Sequence, residues 1–157
     1  MSPTGETIDI EHFNSQVASL TDKLLTVYSG YEMPKARCLG FLSVDEKQQV
    51  VDEVLNQIYH DATKKGGVSL GAAEEIRTAA LDVKSALKEH PTRSAICRAL
   101  RACTGKSNRE TVLEVTKICL PLAIAGQIAL PVSALVWAIL GLAVASIGTS
   151  MICGEEP

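Results

Sequence analysis

From Ile118 to Gly154 the chain runs for 37 residues without a charged side chain. Such a run has two possible homes, the interior of a domain or the hydrocarbon of a bilayer, where a spanning helix needs about 20 apolar residues. Pro131 divides it. The 13 residues before it are too few to span alone unless they extend an earlier helix. The 21 residues after it, Val132–Ile152, would reach about 31 Å as a helix, close to the hydrocarbon thickness. Proline suits a first helical turn, so Pro131 can open the span. The competing reading is a core helix, but burying the whole run would take most of the interior of a 157-residue chain. The sequence therefore predicts a transmembrane segment over residues 131–153. A hairpin turning near Gln127–Pro131 is the second topology.

Everything before the run reads as helix. Ile10, Phe13, Val17, Leu20, Leu24 and Val27 recur at steps of three and four, which predicts an amphipathic helix over 8–28. Ser43 and Glu46 have the spacing of a capping box and open a second helix, with Val50, Val51, Val54, Leu55 and Ile58 as its apolar face. A third is predicted over 69–89, around Ile76, Ala80, Val83 and Leu87, and a short basic one over 92–103. Ser107 and Glu110 form another capping box, and the helix they open runs on into the uncharged tract. No strand-like alternation occurs. The expected fold is all-α: an N-terminal bundle of about four amphipathic helices, then a long apolar C-terminal helix or helical hairpin. The expected divisions are a helical domain over 1–106, a connecting helix over 107–130, the span over 131–153 and an acidic tail over 154–157.

Charge is unevenly distributed. Residues 1–62 net −6, residues 63–117 net +5, and the uncharged tract follows. Arg93, Arg98, Arg101, Lys106 and Arg109 lie between Glu89 and Glu110 with no acid among them, and Lys117 borders the tract. Beside a span, these six bases form a collar for anionic lipid headgroups. The positive-inside rule then places the N-terminal domain in the cytoplasm. The overall net charge of −3 and an aromatic content of 4% argue against a nucleic-acid partner.

Within the span, Ala134, Ala138, Gly141, Ala145 and Gly148 are separated by four, three, four and three residues. Small side chains along one helix face allow close backbone approach, which favours association of helices in lipid. The stripe predicts a homo-oligomer. Ser146, Thr149 and Ser150 can bond back to their own helix or line a pore.

Catalytic and metal motifs are missing. "TGKS" at 104–107 lacks the earlier glycine of a P-loop, since that position is Leu100. His12, His60 and His90 fall on different predicted elements, and the His60–Asp61 pair reads as helix surface. The five cysteines, Cys38, Cys97, Cys103, Cys119 and Cys153, are scattered and odd in number, which favours free thiols. Cys119 and Cys153 flank the tract and read as buried inert thiols, or else as palmitoylation sites. No enzyme, cofactor or metal is expected.

In plan the chain resembles small effectors of bacterial antiviral and cell-death systems, which join a helical sensor to an apolar segment. Pore-forming colicins resemble it in their long uncharged stretch near the C-terminus. The resemblance is architectural, without a diagnostic motif. It implies a membrane-localised protein that assembles and perturbs a membrane, its N-terminal helices receiving a protein partner. The alternatives are a tail-anchored adaptor or regulator, and a soluble helical-bundle interaction domain or enzyme.

Overall fold

Asp9 opens the first helix, its Oδ1 accepting the His12 N–H at 3.1 Å. The computed structural model describes residues 9–31, 44–66 and 72–153. Within them α1 spans Ile10–Val27, and α2 spans Val44–Asp61 and runs on into a wide π turn, Ala62–Gly66. Then come α3 (Ala73–Leu87), α4 (His90–Arg101), α5 (Asn108–Ile124), α6 (Ala134–Ile147) and a short α7 (Thr149–Cys153). No strand occurs among the described residues. The chain is all-α, a bundle of six helices with α7 appended.

The cap expected at Ser107 is present. The Ser107 hydroxyl accepts the Glu110 N–H at 3.2 Å, and Glu110 Oε1 accepts the Ser107 N–H at 2.9 Å. The backbone N–H, and then the hydroxyl, of Ser107 hold the Glu110 carboxyl below its ordinary range. The box is therefore intact at neutral pH and loosens as acid protonates Glu110. Thr104–Lys106 leave α4 and lead into this cap, so "TGKS" is an inter-helix turn. Ser43 of the expected Ser43–Glu46 box, Cys38 and the tail 154–157 lie outside the described residues.

The centre of the bundle is α6. Its nine consecutive residues Val136–Val144 are all buried, on every side of the helix. A helix without a polar face belongs in an interior. Here α1, α2, α3 and α5 enclose it. Phe13, Val17 and Leu24 of α1, Val50, Val54 and Ile58 of α2, and Ile76 and Val83 of α3 join Trp137, Leu140 and Val144 in one hydrophobic cluster. Fully burying side chains such as Ile139, Leu140 and Leu142 contributes about 1.5–3 kcal/mol each before entropy is subtracted. Trp137 also donates its Nε1–H to the Pro131 carbonyl at 2.9 Å, which ties the entering loop to the core.

Several expectations are corrected by this arrangement. Among the described residues no helix is long and apolar enough to cross a membrane. The expected span is interrupted: α6 starts after Ser133 and stops at Gly148, whose φ of +96° ends the helix after 14 residues. That length covers about 21 Å of the roughly 30 Å required. The apolar C-terminal helix is therefore a core element and not an appendage. The lipid partner, membrane localisation and membrane perturbation inferred from a span lose their basis. The same holds for the tail anchor. The homo-oligomer loses the lipid setting that argued for it.

Gly141 shows what the small residues do within the chain. A Cβ there would lie 2.7 Å from Val112 Cγ1 and 2.8 Å from Val112 Cα. The missing side chain lets α5 and α6 meet almost backbone to backbone. Gly141→Ala should cost about 1–3 kcal/mol of unfolding free energy, because the nearest atoms include backbone that cannot rotate away. Urea denaturation at several protein concentrations checks this. A concentration-independent loss locates the contact inside one chain.

Candidate anion-binding groove on α4

Unlike the enclosing helices, α4 packs mainly on α3, α5 and α7 and lies to one side of α6. Thr92, Ala95, Ile96, Ala99 and Leu100 are buried on its inner side. His90, Ser94, Arg98 and Arg101 follow at steps of four, four and three and form an exposed stripe. Arg93 and Cys97 border it. Pro91 sits in the first turn, where its missing N–H costs no hydrogen bond.

A cavity of about 340 Å³ lies between this face and α7. His90, Arg93, Ser94, Cys97, Arg98 and Arg101 line it from α4, and Ile152 and Cys153 from α7. No carboxylate is among them. A second cavity of about 270 Å³ shares His90, Ser94 and Arg98 and is closed by Leu122, Gln127 and Ile128. The stripe thus has a recess on either side.

Three other cations of the surface have partners. Arg109 Nε meets Asp22 Oδ1 at 2.6 Å, and Lys84 meets Asp52 at 3.3 Å. Arg77 lies over the Tyr59 ring, 5.7 Å from its centroid. Among the described residues none of Arg93, Arg98 and Arg101 forms an ion pair. Arg93 Nε is closed off from solvent and lacks a hydrogen-bond partner there. An unsatisfied buried donor costs about 1–3 kcal/mol. Arg98 and Arg101 also suit the last turn of a helix, where cations oppose the negative dipole end. His90, at the first turn, has no such reason to be there.

A disulfide joins Cys97 to Cys153 across the groove, with a Cα–Cα distance of 5.5 Å. This corrects the expectation of free thiols at both positions. It closes a loop with a sequence separation of 56, worth about 4 kcal/mol in the chain-entropy model. Cys103 and Cys119 are free and buried. Burial pushes the Cys119 thiol up to about 11, against the opposing pull of the nearby Arg98 charge. Burial likewise raises Cys103, whose Sγ donates to the Ala99 carbonyl at 3.1 Å.

The residues singled out by sequence divide as follows. Ala138 and Gly141 are buried in the core, and Ala134, Ala145 and Gly148 are half-buried. The six collar bases do not form one cluster. Arg93, Arg98 and Arg101 line the groove, Arg109 holds Asp22, and Lys106 and Lys117 are exposed elsewhere. His90 and the disulfide wall were missed as parts of the site. His90 could have been placed from its four-residue step to Ser94 and Arg98. Ser146 bonds back to the Leu142 carbonyl at 2.8 Å and also accepts the Tyr28 hydroxyl at 3.0 Å. Of the His60–Asp61 pair, His60 is exposed, but Asp61 is buried. It accepts from the Ser29 N–H and hydroxyl, both at 2.9 Å, and from Gln57 Nε2 at 3.0 Å. That cluster fastens the end of α1 to the end of α2.

Among the described residues no group of three or more His, Cys, Asp or Glu side chains is placed to hold a metal ion. No protein-family model, curated protein or solved structure matches the chain.

With a thiol raised to about 11, Cys119 is about one part in a thousand thiolate at pH 8. Native protein treated with iodoacetamide at pH 8 should keep Cys119 and Cys103 unmodified, as read by peptide mass spectrometry. The raised value also sets a sign. The buried thiol's stabilising contribution is complete below the unfolded value near 8.5 and is lost as the pH rises towards 11. Thermal melts across that interval should fall progressively.

Proposed function

We propose that the chain is a non-catalytic helical interaction domain that docks an acidic peptide segment of a partner protein on the α4 groove. The observation that carries this reading is the cationic lining: among the described residues, three arginines without ion pairs and one histidine surround one recess, and no carboxylate lines it. Arg93 Nε is in addition a buried donor without a hydrogen-bond partner among the described residues. Carboxylates match arginine forks in geometry as well as in charge.

The dimensions favour a peptide over a nucleic acid. From Arg93 to Arg101 the helix advances about 12 Å, a short footprint for a polyphosphate backbone. The groove also lacks Phe, Tyr and Trp on which bases could stack. The reactive groups have structural partners in the fold, which fits a binding role. Asp61 holds Ser29 and Gln57, Cys97 is bonded to Cys153, and Cys119 is shielded.

A fluorescein-labelled octaglutamate peptide tests the reading. It should bind the oxidised protein at low salt, and affinity should fall as salt approaches physiological strength. Arg98→Glu/Arg101→Glu, two changes at exposed positions, should weaken binding about tenfold or more by removing two attractions and adding two repulsions. Circular dichroism checks that the variant keeps its helices. An oligothymidylate of equal charge that binds as tightly as octaglutamate would overturn the assignment to an acidic peptide, and so would an unchanged affinity in the double variant.

A further inference from the structure

We propose that the Cys97–Cys153 disulfide is a redox latch that assembles the α4 groove, so that the oxidised chain binds its acidic ligand and the reduced chain loses it; this rests on the function proposed above. The argument begins with how α7 is held. It is a five-residue helix, too short to persist alone, and it follows Gly148, whose φ of +96° makes an abrupt turn. Of its side chains, Ile152 and Cys153 are buried. The same two residues form the α7 wall of the groove. The bond to Cys97 therefore secures the wall itself, through one of the two residues that line the groove from α7.

Position also makes the bond reachable. Cys97 and Cys153 both line the cavity, whereas the buried Cys103 and Cys119 do not. The arginines on the same recess attract anionic low-molecular-weight thiolates, of which glutathione is the chemical type. A thiolate RS⁻ attacks one cysteine sulfur. The protein S–S bond breaks, a mixed disulfide forms, and the electron pair leaves on the other cysteine, which takes up a proton. A second thiol cleaves the mixed disulfide at the small molecule's sulfur. In sum, the protein disulfide and two RSH give two protein thiols and RSSR. Oxidation by a small disulfide is the reverse.

After reduction α7 keeps Ile152 and its covalent link through Gly148, but its end is no longer pinned to α4. One side of the recess can then open, and Arg93 loses its enclosed setting.

Two measurements test the latch on the full chain, oxidised or treated with dithiothreitol. The first is amide hydrogen exchange of Thr149–Cys153, which should quicken on reduction while α6 stays protected. The second is octaglutamate affinity, which should fall about tenfold or more on reduction. Cys97→Ser/Cys153→Ser should match the reduced protein with or without dithiothreitol. Unchanged exchange at Thr149–Cys153 on reduction would overturn the latch, whatever the peptide does. Equal octaglutamate affinity in both redox states would overturn it too while leaving the groove's assignment standing. Faster exchange with no binding in either state would overturn both proposals together.

Discussion

The near-contact of two backbones at Gly141 and Val112 is the constraint around which the bundle is organised. A helix as apolar as α6 cannot show any face to water, so it needs neighbours on all sides. Space around a helix axis is limited, and four neighbours fit only where side chains are small or interdigitate closely. Gly141 removes the obstruction on the α5 side, and Ala138 and Ala143 add little bulk. The larger side chains, Trp137, Ile139, Leu140 and Leu142, then fill the spaces towards the other helices. An added methyl at 141 would push α5 outward, and the neighbours of α5, including α4, would have to follow.

A core filled by one helix leaves the others free to keep polar outer faces. Each of α1, α2 and α3 contributes an apolar face and, the buried Asp61 apart, carries its charges towards the outside, where Asp22, Asp52 and Lys84 enter surface pairs. Such pairs are worth little individually, about 0–1 kcal/mol. Their effect here is to neutralise the cations involved. The position of α4 is different. It is packed on the flank of the bundle, and its arginines line a recess without opposing carboxylates. The positive charge of the chain's middle segment is thereby concentrated where no carboxylate of the described residues lines the recess.

Much of the fold was legible because helical periodicity is a local property. The apolar faces of α1, α2 and α3, apart from the exposed Ile10 and the half-buried Ala80, and the Ser107–Glu110 cap appear where spacing places them. The identity of the uncharged run was not legible from its length. Membrane spans and fully buried core helices share one composition. What separates them is whether the rest of the chain has enough apolar faces to wrap the helix, and whether the helix continues past about 14 residues. The Ala–Gly stripe was ambiguous for the same reason. Small residues permit close approach to any helix, and Gly141 uses that freedom on α5 of its own chain. Of the groove, the arginines stood out as a basic cluster. The recess, the orphan Arg93 Nε and the cysteine pairing depend on elements far apart in sequence, which local pattern does not connect.

The break at Gly148 joins these two levels. Had the helix continued past Ile147, its axis would have carried Ile152 and Cys153 straight on from the core. The positive φ instead turns the chain, and α7 lies across α4. One apolar tract thus serves two purposes. Its middle part, α6, fills the centre of the bundle, where the contact at Gly141 leaves no room for a methyl. Its residues Thr149–Cys153 form a small wall held by the buried Ile152 and by the Cys97–Cys153 bond. Local stability differs along a chain according to such contacts. The wall lies at the weakly held end, directly against the cationic face of α4, and so a change there can alter binding without disturbing the core.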